Sequence, residues 1–517
     1  MIRDAMTKTI TDLYKIPAIE LVPLLPSDRK IKAVWVHQPK HDIDGNLLRI
    51  KFRICPQGFR FRDGIDFNQD EVASYAPHVQ TLMIGFHFEV QRSMYTTHLD
   101  VTNCFQMYSV LPTTSRIILD TPDGFHVPDG FCIRMINALQ GSPQASRIWQ
   151  DAAEAHLLTV LKFQQSIIDP SFYWRWNGEC FSMIIRTTDD FRVSSDDPKI
   201  MESICSNLQQ KWEMTVQENK SWNGMAVDHD RIKGTLYVSM KRDIETFLST
   251  FGMRDCKPAK TPAAPNTKLL KPDPSTEINS VELAYPYREI VGGLLWFART
   301  GRPDILYAVN QLTKFSHAWD KSHIEAAKLV MRYLKGTIDL RLTLWRSSDP
   351  YLLVYADSDF GSEPEQNNHP MCSTSGWAAY IHGIGLIYAG VNLEKTISLS
   401  TAEAEYKVIA RACKFIVSVR QFYTEIGFPL VDSTTIFNDN QAAIAMSKQT
   451  FSSSATRHMK IKFHYIREKV ADGTVTVAYI PTERMVADIF TKALSRILFE
   501  RFRNMLLDGK DEDGVVL

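Results

Sequence analysis

The sequence predicts a mixed α/β protein, α+β in its first part and an α/β sandwich in its last, divided into several folding units. Three observations predict this. The chain has 517 residues, 44% hydrophobic and 23% charged, an ordinary globular composition too long for one core. Prolines at 258, 262, 265, 272 and 274 crowd Lys257–Pro274, removing backbone donors and enforcing extended geometry, as in a linker crossing a surface. From Tyr351 onward the pattern runs strand, strand, helix, strand, helix, which suggests a mixed sheet covered by helices.

Taken in order, Ala33-Val-Trp-Val36 and Asn46-Leu-Leu-Arg-Ile50 flank Asp42-Ile-Asp-Gly45, a hairpin signal whose turn is Asp-Gly. Apolar runs precede Asp100 and the Asp189-Asp190 pair, and these read as strands ending in acids. After the linker, Ile324, Ala327, Met331 and Leu334 make one helical stripe over Ser322–Lys335. Lys328, Arg332 and Lys335 fall on the other face, either along a phosphate backbone or simply in solvent. A helix is expected from Thr401 to Ile426, with Ser400 or Thr401 as N-cap and Gly427 as its stop.

Formal net charge is +0, so no global field points to a polyanionic partner. Locally, Asp28–Asp63 holds nine Lys/Arg against four Asp/Glu, enough for a basic groove. The eight cysteines (55, 104, 132, 180, 205, 256, 372 and 413) contain no Cys-x-x-Cys pair, which argues against a zinc knuckle and for a reducing compartment. No run of about 18 apolar residues offers a membrane span. The first residues, Met-Ile-Arg-Asp-Ala-Met-Thr-Lys, lack the apolar core of a secretory signal. An intracellular, cytoplasmic protein is therefore expected.

The chemistry is carried by carboxylates lodged in apolar runs. Asp100, Asp189 and Asp190 form one group; Asp357, Glu405, Asp439 and Asp488 form another. A buried carboxylate is costly unless compensated, and a divalent cation is the usual compensation. In isolation an Asp-Asp pair is most often a solvated turn. Two acidic groups suggest two metal-dependent sites, and two metals held by such carboxylates serve phosphoryl chemistry.

The surrounding residues are more specific. Leu21-Val-Pro-Leu24, Asp42-Ile-Asp-Gly45, Lys51-Phe-Arg-Ile-Cys-Pro-Gln-Gly-Phe59, Leu99-Asp-Val-Thr-Asn-Cys-Phe105, Asp120-Thr-Pro-Asp-Gly-Phe125, the run from Ala138 to Trp149 and Thr187-Thr-Asp-Asp190 occur in this order. Tyr287–Ala298, Arg302–Ala308 and His323–Thr337 continue the series. It resembles the reverse transcriptase of copia-type LTR retrotransposons over roughly residues 20 to 500. The resemblance implies a right-hand polymerase of fingers, palm and thumb. Asp100, Asp189 and Asp190 match its metal-binding palm carboxylates. Phe105 matches an aromatic packed against the sugar, with a core aromatic as the plain reading. Gln144 matches a glutamine lining the nucleotide pocket, and Lys51 and Arg53 match basic residues near the triphosphate. The chain departs from the family at Thr187 and Thr188, where Tyr and an apolar residue are usual, at Gln140, where Tyr is usual, and across Lys51–Gln57.

Ser373-Thr-Ser-Gly-Trp377, Ser400-Thr-Ala-Glu-Ala-Glu-Tyr406, Asn438-Asp-Asn-Gln-Ala442 and Ala487-Asp-Ile-Phe-Thr-Lys492 resemble the ribonuclease H domain of the same elements, with Asp357, Glu405, Asp439 and Asp488 on its carboxylate positions. Glu403 and Asp359 read as helix-start and loop charges. Lys460 and Lys462 face either phosphate or solvent, and no role is read for His458. The expected organisation is fingers and palm over 1–256, linker and helical thumb or connection over 257–345, a ribonuclease H-like mixed-sheet domain over 346–500, and a tail over 501–517. The implied activity is RNA-directed DNA synthesis plus hydrolysis of RNA in RNA–DNA hybrids. Mg2+, with Mn2+ as alternative, is the implied cofactor; RNA template, RNA–DNA hybrid, DNA and deoxynucleoside triphosphates are the implied partners. With no protease or integrase motif, the chain is expected to be the last part of a longer polyprotein, in a virus-like particle where the element is intact, or a truncated copy. Two other readings stay open: a non-catalytic nucleic-acid-binding remnant, and a nuclease with an inactive polymerase.

Overall fold

The computed structural model describes residues 2–41, 47–217, 221–265, 267–273, 282, 284–448 and 460–510, with the side chains of 40, 41, 47–49, 221 and 460–463 set aside. The chain divides into two compact units. One holds residues 1–77, 97–165 and 170–216; the other holds 78–96, 166–169 and 217–517.

The first unit contains two sheets. In the first sheet the strand order is Ile19–Pro23, Phe131–Met135, Ile118–Asp120, Lys30–His41, Leu47–Pro56. The last two strands pair antiparallel, Ala33 against Pro56 and Lys40 against Arg49, as the hairpin signal predicts. The expected turn itself, residues 42–45, lies outside the described residues. The second sheet runs Met214–Val216, Tyr95–Val101, Asp190–Ser195, Cys180–Thr187, Phe172–Asn177, Gln164–Gln165. Helices Ala145–Thr159 and Pro198–Lys211 cover it, burying Trp149, Leu157, Ile204 and Leu208 against Leu99, Ile184, Phe191 and Val193. That apolar floor explains the hydrophobic run before Asp189, whose strand is buried on both faces, whereas strand Tyr95–Val101 before Asp100 is half-buried and turns only Leu99 and Val101 into the core.

The second unit carries a four-stranded antiparallel sheet ordered Ser221–Trp222, Met225–Asp230, Thr235–Ser239, Leu342–Trp345. Strands from before and after the Pro-rich segment thus share one sheet. The compact boundary falls near residue 216, not at the expected 256, because those long-range backbone pairings outweigh the compositional break. The described residues of Lys257–Asp273 have no regular structure but are pinned: Ala259 N–H donates to the Arg332 carbonyl at 3.1 Å and Lys271 N–H to Asn367 Oδ1 at 2.8 Å. The predicted helix spans Lys321–Gly336 with its stripe buried. On its basic face Lys328 pairs with Glu325 at 2.9 Å and Arg332 donates to the Lys257 carbonyl at 2.7 Å. Arg332 thus supports the linker.

The last sheet is mixed, ordered Gly385–Leu393, Thr374–Ile381, Leu352–Asp359, Thr434–Asn438, Val475–Tyr479. The first three strands pair antiparallel with one another, while Leu352–Asp359, Thr434–Asn438 and Val475–Tyr479 are mutually parallel. Helix Thr401–Glu425 packs on it, capped by the Ser400 side chain accepting from Glu403 N–H at 3.2 Å and ended at Gly427, φ +90°. Strand Gly385–Leu393 and strand Val475–Tyr479 add to the expected pattern. The expected tail begins inside a helix, Arg496–Asp508, that buries Phe499, Phe502, Met505, Leu506 and Leu507. Its amphipathic stripe gives it a docked face, so residues 501–508 belong to the folded unit.

Candidate active sites

The first acidic group assembles at a hairpin. Asp190 pairs with Thr187 across strands Cys180–Thr187 and Asp190–Ser195, leaving Thr188 and Asp189 as the turn. Such two-residue turns need positive φ, and Thr188 has φ +50°, a strained value for a β-branched residue. Its carbonyl accepts from Trp149 Nε1 at 2.6 Å and from Arg186 Nη1 at 3.1 Å. Both donors are fully buried, so the turn is held through backbone by groups the core fixes. Neither Trp149 nor Arg186 is singled out by sequence reasoning, although Trp149 ends one of the motifs.

Val101 N–H donates to the Asp189 carbonyl at 3.0 Å, which sets strand Tyr95–Val101 beside the turn. Carboxylate oxygens of Asp100, Asp189 and Asp190 then lie within 4.8 Å of one another. Burial first, then repulsion from Asp190 and Asp189, pushes Asp100 up to about 6, against the pull of Lys51 and His98. Asp189 is raised by burial and Asp190, opposed by Lys51 and Arg53. His98 Nε2 lies 3.1 Å from Asp190 Oδ1. Lys51 and Arg53 stand on strand Leu47–Pro56 and line a cavity of about 400 Å³ with Thr102, Asn103 and Gln106. Phe105, on helix Cys104–Tyr108, is half-buried and packs against both apolar cores of this unit. Gln144 precedes helix Ala145–Thr159 without a side-chain capping bond, its Nε2 3.4 Å from the Asp66 carbonyl; its Oε1 is buried with no donor among the described residues.

The second group converges from four elements. Asp357 stands in the central strand two residues before its end at Asp359, Glu405 stands in the first turns of Thr401–Glu425, and Asp439 follows strand Thr434–Asn438. Their carboxylates come within 4.8 Å of one another. Asp488 sits on a 3₁₀ turn, Val486–Phe490, where the charge of Asp357 adds to burial in raising it. Gly376 makes this approach possible. It pairs with Asp357, and a Cβ there would lie 2.6 Å from Phe490 Cβ and 3.0 Å from Thr491 Cγ2.

Each carboxylate in this group is held by a donor. Thr491 Oγ1 donates to Asp357 Oδ2. Glu405 accepts from Ser358 N–H at 3.3 Å and Asn438 Nδ2 at 2.8 Å. Asp439 Oδ2 accepts from Thr482 Oγ1 at 2.8 Å, and Asp488 Oδ2 lies 3.0 Å from Lys492 Nζ. Burial, then the neighbouring acids, pushes Glu405 well above the usual range and Asp488 up to about 8. Asp357 is raised too, by burial. Thr491, Lys492, Asn438 and Thr482 are the neighbours of this cluster that sequence reasoning misses; three of them lie inside the quoted motifs. Glu403 matches its helix-start reading: Oε1 pairs with Lys407 and Oε2 accepts from Leu399 N–H at 2.8 Å. Asp359 is not part of the cluster. The side chains of Lys460 and Lys462, and His458, lie outside the described residues.

Both groups offer oxygen donors crowded enough to repel one another, a donor set that fits a hard divalent cation such as Mg2+ or Mn2+. In phosphoryl chemistry such an ion neutralises developing oxygen charge.

Residues 18–265 match the reverse transcriptase (RNA-dependent DNA polymerase) family. The chain is 29% identical over 511 residues to the retrovirus-related Pol polyprotein of transposon RE1 from Arabidopsis thaliana, covering 98% of this chain and 33% of that one. It is 29% identical over 508 residues to the corresponding polyprotein of transposon TNT 1-94 from Nicotiana tabacum, covering 97% and 37%. The chain thus spans about a third of the length of these curated relatives. In fold it is similar to a foamy viral protease-reverse transcriptase solved with double-stranded DNA, with a TM-score of 0.50, 12% identity and coverage of 93% of this chain and 69% of that one. Ordered motifs, relatives matched along nearly the whole chain and a shared fold agree: the chain carries a reverse transcriptase domain over residues 18–265 and is homologous along nearly its whole length to copia-type retrotransposon Pol polyproteins.

Proposed function

We propose that this chain is an RNA-directed DNA polymerase joined to a ribonuclease that hydrolyses RNA in RNA–DNA hybrids. The observation that carries the reading is the pair of carboxylate clusters, one in each compact unit, each converging from separate elements to within 4.8 Å. Convergence of like charges, half-buried in the first cluster and mostly buried in the second, is costly and persists in a fold where something compensates it.

In the first unit Asp100, Asp189 and Asp190 hold the divalent cation. Lys51 and Arg53 take the triphosphate, Phe105 underlies the sugar and Gln144 lines the base side of the nucleotide pocket. The two sheets of this unit correspond to fingers and palm, and the helices beyond the Pro-rich segment to thumb or connection. In the second unit Asp357, Glu405 and Asp439 hold the cation, with Asp488 beside Asp357. Their fixed oxygens position a water against the scissile phosphodiester, and the surrounding fold reads the hybrid by backbone shape and 2′-hydroxyls. Bound at either cluster, Mg2+ supplies charge that stabilises the attacking and leaving oxygens. Thr187 and Thr188 are compatible with this reading, because the turn is positioned by its carbonyl and not by the side chains the family usually has there.

Primer extension on an RNA template and cleavage of a labelled hybrid, run on the same purified chain, test the proposal. Asp189→Asn is expected to abolish extension and keep cleavage; Asp439→Asn is expected to do the reverse. A wild-type chain that cleaves hybrids and never extends a primer would restrict the function to a nuclease. A chain with neither activity in Mg2+ or Mn2+ would be a binding remnant.

A further inference from the structure

The Pro-rich segment runs against the loop that leaves the strand of Asp357. That loop, residues 360–372, leads from strand Leu352–Asp359 toward strand Thr374–Ile381. Its Asn367 is buried and clamps the segment through both halves of one amide. Oδ1 accepts from Lys271 N–H at 2.8 Å, and Nδ2 donates to the Leu269 carbonyl at 3.0 Å. Two backbone bonds to one side chain fix the stretch 269–271, and Lys268 stands next to it.

The Lys268 ammonium lands on the loop itself, donating to the Ser362 carbonyl at 2.5 Å. Ser362 is five residues beyond Asp357. Its hydroxyl lies 2.8 Å from Thr374 Oγ1, and Thr374 pairs with Asp359 across the strands. Lys268 is thus held at the rim of the hydrolytic cluster. After burial, its charge is the largest influence on the Asp359 carboxyl, ahead of Lys492.

Two lysines reach this loop, and one of them is neutralised. Lys314 pairs with buried Glu363, which also accepts from Asn367 Nδ2 at 2.7 Å. Lys268 is exposed and pairs with no carboxylate among the described residues. It uses one of its three N–H donors on a neutral carbonyl. An ammonium so placed keeps its full charge and two donors for an anion. The acidic cluster repels any polyanion that approaches, so a phosphate entering here is stabilised most by a cation fixed at this rim.

We propose that Lys268, delivered by the Pro-rich segment, is a phosphate-positioning residue of the hydrolytic site, holding a backbone phosphate of the RNA–DNA hybrid beside the carboxylate cluster. The inference rests on the hydrolytic reading of that cluster and deepens it, because the Pro-rich segment becomes part of the substrate-binding surface.

Steady-state cleavage of a labelled RNA–DNA hybrid by the full chain, at saturating Mg2+ and several salt concentrations, tests this. Lys268→Gln is expected to raise KM about three- to tenfold, the loss of one solvent-exposed charged contact, with kcat within about twofold of wild type. With one phosphate contact gone, the fall of kcat/KM with salt should flatten by about one unit of log–log slope. Lys268→Arg keeps the charge and is expected to restore both values. Lys260→Gln makes the same charge change elsewhere in the segment and is expected to leave both at wild type. Three results would each overturn the inference and leave the hydrolytic reading standing: unchanged KM and slope in Lys268→Gln, an equal effect of Lys260→Gln, or a loss in kcat with a lowered melting temperature and the wild-type slope. A wild-type chain that cleaves no hybrid would overturn both.

Discussion

Replacing Thr491 by valine removes one hydroxyl and little else. Thr491 is 1% exposed, and its Oγ1 donates to Asp357 Oδ2, so no water stands ready to replace it. Asp357 is itself buried and its carboxyl is already pushed up by that burial. A hydrogen bond to a charged acceptor is worth about 1.5–3 kcal/mol, and losing a buried donor forfeits most of it. If that energy holds Asp357 in its working orientation, the hydrolytic barrier rises by the same amount. At about 1.4 kcal/mol per tenfold, single-turnover cleavage of an RNA–DNA hybrid should fall roughly 10- to 150-fold at saturating Mg2+. Thr491→Ser keeps the donor and should recover most of the rate. Primer extension by the same preparation serves as the control for folding, since Thr491 belongs to the second compact unit and the first cluster to the other. Cleavage by Thr491→Val within twofold of wild type, or a serine variant as slow as the valine one, would refute the role given to this hydroxyl.

Phe105→Val should raise ribonucleotide incorporation relative to deoxyribonucleotides in primer extension, because a smaller side chain leaves room for a 2′-hydroxyl; an unchanged ratio would make Phe105 a core residue only. Trp149→Phe removes one of the two donors to the Thr188 carbonyl and should slow extension about tenfold, on the scale of one buried hydrogen bond, with hybrid cleavage unaffected. Gly376→Ala places a Cβ 2.6 Å from Phe490 Cβ, so the turn carrying Asp488 and Thr491 must move away; hybrid cleavage should collapse while extension survives. Asp100 and Asp488 are raised to about 6 and about 8, so the metal-free folded chain binds protons there that the unfolded chain has released. Their stabilising contribution is present below the unfolded value near 3.8 and is lost as pH rises through 6 to 8. A bound cation keeps Asp100 ionised, so the gain in melting temperature with Mg2+ over chelator should grow as pH rises through about 6. Buried His87, lowered to about 3, appears on both sides of that difference and cancels. A gain that is flat with pH would count against the shift at Asp100.

The carboxylates were legible from the chain alone because burying an acid in an apolar run is a local anomaly, visible wherever the run is visible. The helix over Thr401–Glu425, the stripe of Lys321–Gly336 and the strand pairing around residues 33–56 were legible for a similar reason, since period and capping are written within a few residues. Ordered motifs added the family and, with it, the expected roles of the two clusters. What tertiary structure decided is which groups hold the acids. Thr188 looks like a poor turn residue until Trp149 and Arg186 are seen on its carbonyl. Lys492 looks like an ordinary surface lysine until its ammonium is seen 3.0 Å from Asp488 Oδ2. Gly376 looks like any strand glycine until the turn at Phe490 is packed on it. The unit boundary near residue 216 follows from strand Leu342–Trp345 pairing back to Thr235–Ser239 across the Pro-rich segment. In every case the deciding contact joins positions whose energy of meeting depends on close packing in three dimensions, and periodicity and composition carry only the local part of that energy.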